Sequence, residues 1–434
     1  MVLGGVDVIP YTSDCPTPLL WAVEGGHEEV VEPLLERNDI NPNTVDGRGW
    51  TLFIAASVGH EGMVKTLLER GDVNPNTVDC WGETPLFMAT REGHEGVVKL
   101  LLERWDINPN IADEDGETPF SLATRRGQEG VVKMLLERND INPNIGSVGG
   151  ESPLLVAVCE GHEKVVKMLL GREDVNHNTT DECGRTPLFR AASKGREGVV
   201  KLFLERDDVN PNTADWRGRT PFFIAASKGH EGTMKLLLER EDVNPNTPNE
   251  WGETPLASAV WMGHEGVVKL LLKRRDVDPN IADDYYNGDT PLSLAAVNGE
   301  VEIVKMLLER GDVDPNTADS CEETPLCKAA DCGHEGVVKM LLERGDVDPN
   351  TTDSCGETPL SRATYHGHEG VVKMLLERPG INSDMANLAG ETALSQALKC
   401  GHHAIAKLLS EHRNFIPPLD GDEFTPLPHP RLQI

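Results

Sequence analysis

Apolar and polar positions recur along this chain in a fixed order. The stretch Gly82 to Asn110, GETPLFMATREGHEGVVKLLLERWDINPN, shows it once. Leu86, Ala89 and Thr90 outline a short first helix with a small-residue face. Thr84 is placed to cap it, and Pro85 falls at the first helical position, where a missing N–H is harmless. Gly93 ends the helix. A second helix opens at His94-Glu95, with Val97, Val98, Leu101 and Leu102 as its apolar stripe. Gly96 sits in its first turn, where glycine is least costly. Asp106-Ile-Asn-Pro-Asn110 then breaks the helix with turn-forming residues.

The Thr-Pro step returns at Thr118, Thr186, Thr220, Thr254, Thr290, Thr324 and Thr358, with Ser152 in the Thr place once. Thr17 opens an earlier copy, Thr51 one without Pro, and Thr392 a last one with Ala393 instead. Twelve copies, mostly 34 residues apart, predict a stacked repeat architecture. One such unit cannot bury its own apolar face, so the array is expected to be one body and not a set of globular domains.

The succession TPL, Ala, GH, VVKLLLE, DVN resembles the ankyrin repeat, over roughly Asp14 to Asn414. The resemblance implies an all-α ankyrin-repeat α-solenoid of helix-turn-helix repeats with β-hairpin-like finger loops. It also implies an elongated right-handed superhelix, on the order of 100 Å long at about 8–10 Å between packed helices. The usual His after Thr-Pro-Leu is here Phe87, Ser121, Leu155, Phe189 or Cys327, and the Gly-Ala-Asp loop is replaced by forms such as Gly71-Asp72.

Three segments follow: residues 1–14 as a partial repeat loop, 15–414 as the array, and 415–434 as a proline-rich irregular tail. Val6 to Asp14 resembles the loop Asp72 to Asp79, so the chain is expected to begin inside a repeat. Phe415, Ile416, Leu419 and Phe424 could cover the last helix pair. Asp283-Asp-Tyr-Tyr-Asn287 adds two residues to one finger, which is expected to protrude. Arg190, Lys328 and Arg362 stand where most copies are apolar, and either snorkel or mark locally weaker repeats.

A formal charge of −31 argues against nucleic acid as a partner and against self-association, so a monomer is expected. No 18-residue apolar run is present, and the N-terminus lacks a basic and an apolar leader region, so neither a membrane nor secretion is expected. Nine cysteines without paired spacing fit a reducing, intracellular compartment, cytoplasmic or nuclear.

Little chemistry stands out. Asp312, Asp314, Asn316 and Glu323 fall at calcium-loop positions, as do Asp346, Asp348, Asn350 and Glu357. The Gly needed at the sharp turn is replaced by Thr317 and Thr351, so no calcium site is expected. His27, His60, His94, His162, His230, His264, His334 and His368 share one repeat position, which points to hydrogen bonding at the helix start and not to catalysis. Cys321, Cys332, Cys355 and His366 match no standard metal spacing. No phosphate loop, nucleophile elbow or dinucleotide fingerprint occurs, so no cofactor, metal or catalytic residue is expected.

Positions that differ between copies are the fingertips, the residue before Thr, and the end of the first helix. By the resemblance these face partners. They carry Trp81, Trp216, Trp251, Tyr285 and Tyr286 at fingertips, and Trp261 and Met262 at a first-helix end. Beside them Arg185, Lys194, Arg217, Arg219 and Lys228 form a basic island in an acidic chain. The reading is a non-catalytic module or scaffold that binds a protein partner, one with an acidic face and an apolar anchor, through its concave face. Similar arrays follow nucleotide-binding switch domains in filamentous fungi, so the alternative is a ligand-sensing C-terminal array of a larger receptor.

Overall fold

Each Thr-Pro step does start a helix. In the computed structural model, which describes residues 17–37, 40–43, 45–46, 49–146, 151–283 and 287–413, Thr84 Oγ1 accepts a hydrogen bond from Phe87 N at 3.1 Å. The helix Pro85–Glu92 follows, and Gly93 closes it in the left-handed conformation with φ +80°. Glu95–Leu102 is the second helix, burying Val97, Val98 and Leu101. Where Thr51 lacks its Pro, the helix starts on the threonine itself, Thr51–Val58. Where Ala393 replaces Pro, Thr392 still caps, accepting from Ser395 N at 3.4 Å.

Among the described residues this gives twenty-four helices, in pairs from Pro18–Glu24 to His403–Arg413. Strand is nearly absent: Val45–Asp46 pairs antiparallel with Gly49–Trp50, and Ala386 bridges Thr392. The fold is an all-α repeat solenoid. Its core is a thin layer of Leu, Val and Ala contributed in turn by every repeat, for example Leu86, Ala89, Val98 and Leu101. The chain divides into two compact units, residues 1–225 with 230–244, and residues 226–229 with 245–434. Residues 1–14, Tyr285, Tyr286 and 415–434 lie outside the described residues, so the partial loop, the tip of the long finger and the tail cover are not part of this description.

Side chains that the turns and helix starts repeat are what join one repeat to the next. In the first unit, Asn76 Nδ2 donates to Asp106 O at 2.7 Å, and its Oδ1 accepts from Asn108 N at 2.7 Å. Asn110 does the same to Asp140 and Asn142. In the second unit, Asn316 makes the corresponding pair with Asp346 and Asp348. The last Asn of these Asn-Pro-Asn and Asp-Pro-Asn turns therefore supplies hydrogen bonds that the next turn's backbone lacks locally.

A second joint is an arginine fork. Arg104 pairs both carboxylate oxygens of Asp106 at 2.7–2.8 Å while its remaining nitrogen donates to Leu68 O, at the end of the preceding repeat's second helix. Arg344 holds Asp346 and Leu308 O in the same way. The fork keeps Asp106 and Asp346 below the usual carboxylate range.

The histidine column is a third joint. It does hydrogen-bond, but not to its own helix: His94 Nε2 lies 3.2 Å from Ser57 O, and His368 Nε2 lies 2.9 Å from Asp331 O, each in the preceding repeat. A carbonyl only accepts, so the ring carries its proton on Nε2. Gln128, Arg196 and Glu300 stand in the histidine place in three repeats; Gln128 and Arg196 reach the carbonyls of Thr90 and Glu160, each one residue away from the carbonyl that histidine takes elsewhere. Gly333, which ends a first helix at φ +76°, is fixed from two sides, because a Cβ there would also stand 2.5 Å from the His368 ring. Gly96 has a similar reason: a Cβ would overlap the Glu61 carboxylate of the preceding repeat. Where that Gly becomes Lys164, the lysine pairs with the corresponding Glu129 at 3.1 Å.

Arg190, Lys328 and Arg362 neither snorkel freely nor stand unsupported. Lys328 is buried and paired with Asp289 and, at 2.8 Å, with Asp319. Arg362 joins Asp353 and Glu323, and Arg190 joins Asp181 and Glu151. Burial pulls the Lys328 ammonium down, but the two carboxylates leave it above its ordinary value.

Candidate interaction surface

The described fingers are built on one Asp or Asn each, buried at Asp181, Asp215, Asn249, Asp319 and Asp353 and half-buried at Asp79, Asp113 and Asn387. Asp79 Oδ1 accepts from Trp81 N and Glu83 N, both at 2.9 Å. Asp215 does so for Arg217 and Arg219, and Asn249 for Trp251 and Glu253. Asp79 N donates back to Glu83 O, which closes the finger. This is the short side-chain-to-backbone turn that Asp and Asn favour. Gly82 turns the tip at φ +77°, and Gly218 at +72°. Adjacent tips touch through backbone: Glu114 N donates to Trp81 O, Trp216 N to Cys183 O, and Leu388 N to Cys355 O. Each finger thus presents two tip side chains on a backbone held from below and from one side.

Geometry of this kind, repeated with capped helix pairs, has a counterpart among known families. A model described as ankyrin repeats (3 copies) matches residues 3–79, 52–147, 142–215, 199–283, 275–353 and 345–420. The chain belongs to the ankyrin-repeat family. A search of curated proteins finds no significant match. Ankyrin repeats as a family are protein–protein interaction modules and generally non-catalytic. Among the described residues no helix of this ankyrin array is long and apolar enough to cross a membrane.

In the first unit, Trp81 and Trp216 are 63% and 73% exposed. Trp216 is also seated, because its indole lies against Gly184 of the preceding tip, where a Cβ would be 2.7 Å from the ring. Lys194, which follows the helix Pro187–Ser193, and Arg217 at a tip are exposed. Arg185 and Arg219 are engaged internally. Arg185 Nε lies 2.8 Å from Asp181, and Arg219 lies 2.6 Å from Asp215. The two carboxylates are nearly inaccessible, so both arginines mainly neutralise their own finger.

The second unit holds Lys228, Trp251, Trp261 and Met262. Trp261 and Met262 are 40% and 54% exposed at the end of the helix Pro255–Trp261, Lys228 is exposed, and Trp251 is half-buried. Tyr285 and Tyr286 cannot be placed with them, since they lie outside the described residues.

The acidic residue before each Thr has an internal partner in many repeats. Arg91 forks onto Glu83, Arg125 pairs with Glu117, and Lys399 with Glu391. Glu83 and Glu117 are pushed up by burial, against the pull of those arginines. The sign of this column therefore follows the cation available beside it. Sequence reasoning passed over Trp105, 89% exposed beside the turn after Glu95–Leu102, and Leu388 at an exposed tip. Both could have been found by asking which copy departs from the polar residue of its neighbours.

The calcium-like positions are occupied by internal bonds. Asp312 and Asp346 are forked by Arg310 and Arg344, while Asp314 and Asp348 accept from Asn316 N and Asn350 N. His366 pairs with Asp331 at 3.2 Å. Among the described residues, no group of three or more His, Cys, Asp or Glu side chains is arranged to hold a metal ion.

Proposed function

We propose that this array is a non-catalytic interaction module that holds a protein partner on its fingertips and first-helix ends, with Trp216 as the anchor in the first unit. The observation that carries this is a large indole, 73% exposed, yet seated on Gly184 and fixed through its own backbone to Cys183. A side chain ordered before binding loses little freedom on binding, which is how aromatic anchors reach high contributions. Arg217 and Lys194 add positive charge to its surroundings, while Arg185 and Arg219 serve mainly to neutralise Asp181 and Asp215. The partner surface that suits this is an apolar recess with an acidic rim. Trp261 and Met262, with Lys228 and Trp251, would offer contacts of the same type in the second unit. The array is placed inside the cell on this reading, where its free thiols stay reduced.

The test starts from partners captured on the full chain. Trp216→Ala should then raise the off-rate, at a cost of roughly 2 kcal/mol, about 30-fold in affinity. Arg217→Glu should lower the on-rate, and the deficit should shrink as salt rises. A folded Trp216→Ala protein that binds every captured partner with unchanged affinity would remove Trp216 from the interface.

A further inference from the structure

A groove of about 560 Å³ lies between two neighbouring fingertips of the first unit, lined by Trp81, Glu83, Arg91, Asp113, Glu114 and Asp115. Its geometry follows from the tip-to-tip contact. Glu114 N donates to Trp81 O at 2.9 Å, and a Cβ on Gly82 would come within 3.2 Å of the Asp113 Cα. Three successive acidic residues are therefore held beside an indole that is 63% exposed. Charge in the groove does not cancel. Arg91, its one cation, is forked onto Glu83, which leaves the carboxylates of Asp113, Glu114 and Asp115 in excess. Glu114 and Asp115 are both exposed.

An aromatic face next to uncompensated carboxylates suits a cation with a flat surface. The negative face of the indole attracts the charge, and carboxylates fork onto a planar guanidinium. We propose that this groove receives an arginine side chain presented by a basic segment of a partner protein. Lysine would gain the charge attraction but neither the stacking nor the fork. The inference extends the reading that the fingers meet a protein, yet it names a different tip and the opposite partner charge from Trp216, so either can fail alone.

The probe is a fluorescein-labelled nonapeptide with arginine at every third position and glycine between, titrated with the full chain and followed by anisotropy at low and at physiological salt. Trp81→Ala should weaken binding about tenfold, within the range of a partly desolvated cation–π contact. The double variant Glu114→Gln/Asp115→Asn should weaken it by a similar factor at low salt and by less at high salt. The control Glu173→Gln/Glu205→Gln removes the same charge from exposed positions outside the groove and should leave the affinity within about twofold. A peptide with citrulline for arginine, neutral but of the same shape, should not bind. Binding that is equal for the Trp81 variant, the tip variant and the control would mean general attraction to a chain of charge −31, and would overturn the site. Absence of peptide binding, or equal binding of the citrulline peptide, would overturn it as well.

Discussion

Lys328→Met isolates what the buried charges of the second unit contribute. Lys328 is 7% exposed, and its ammonium joins Asp289 and Asp319, whose side chains are themselves 10% and 1% exposed. Methionine keeps the volume and removes the charge, so two enclosed carboxylates lose their counter-ion. Breaking a buried pair from one side costs about 3–5 kcal/mol. Asp319 still accepts from Cys321 N and Glu323 N, both at 2.8 Å, so the lower end, about 3 kcal/mol, is expected.

The pH dependence carries a sign. Burial already raises Asp289 above its ordinary value of 3.8 against the pull of Lys328. Without the lysine it rises further, and the folded variant then binds a proton more readily than the unfolded chain. Variant stability therefore increases as pH falls from neutral towards the acid side. In the parent protein the Lys328 contribution is fully present below 10.5 and is lost only as pH rises through the raised folded value. Urea unfolding at pH 7 and pH 5 measures the gap between the two proteins, and hydrogen exchange locates it to the repeats around Thr290, Thr324 and Thr358. Adding Asp289→Asn should recover part of the loss. A difference below about 0.5 kcal/mol at pH 7, or one that does not shrink at pH 5, would refute the reasoning.

Further outcomes follow from the joints. Asn110→Ala removes a donor to Asp140 O and an acceptor from Asn142 N, so it should cost about 1–2 kcal/mol and speed exchange of the Asn142 amide; unchanged exchange there would contradict the role given to the asparagines. Gly333→Ala meets both a positive φ and the His368 ring and should lower stability by about 2 kcal/mol in thermal unfolding, whereas Gly345→Ala, with open space around it, should be nearly neutral. Calorimetry should show no calcium binding tighter than roughly 10 μM, because Asp312 and Asp346 are held by Arg310 and Arg344.

Local features of the fold were legible because they depend on neighbours in sequence. Thr84, Pro85 and Gly93 act within one turn of the helix they bound. The joints were not, because each spans about one repeat. Asn76 reaches Asp106, Arg104 reaches Leu68 and His94 reaches Ser57, and the distance along the chain hides the contact although the residue types recur. The fixed Arg-x-Asp spacing, as in Arg104 and Asp106, was the available sign of the fork. At the surface, an arginine standing where glutamate is usual suggested a positive patch at Arg185 and Arg219. The finger beneath was out of sight, and its buried aspartate takes up most of that charge. Exposure of Trp216 and partial burial of Trp251 could not be told apart, since both stand at fingertips and differ only in what surrounds them.

Within each unit the joints are made from the same few groups: an amide, a guanidinium, a ring nitrogen and a glycine. A repeat removed or duplicated whole would leave behind two halves that still recognise one another. The chain can therefore lengthen or shorten by one period without inventing a new contact, and unequal recombination between copies would be tolerated at the junction. Its substituted histidines show how tolerant the joint is, for Gln128 and Arg196 still bond the preceding repeat through carbonyls next to the one that histidine reaches elsewhere. What such exchange would alter is the order of fingertips, so an ancestral array could change the surface it offers while its interior stays the same.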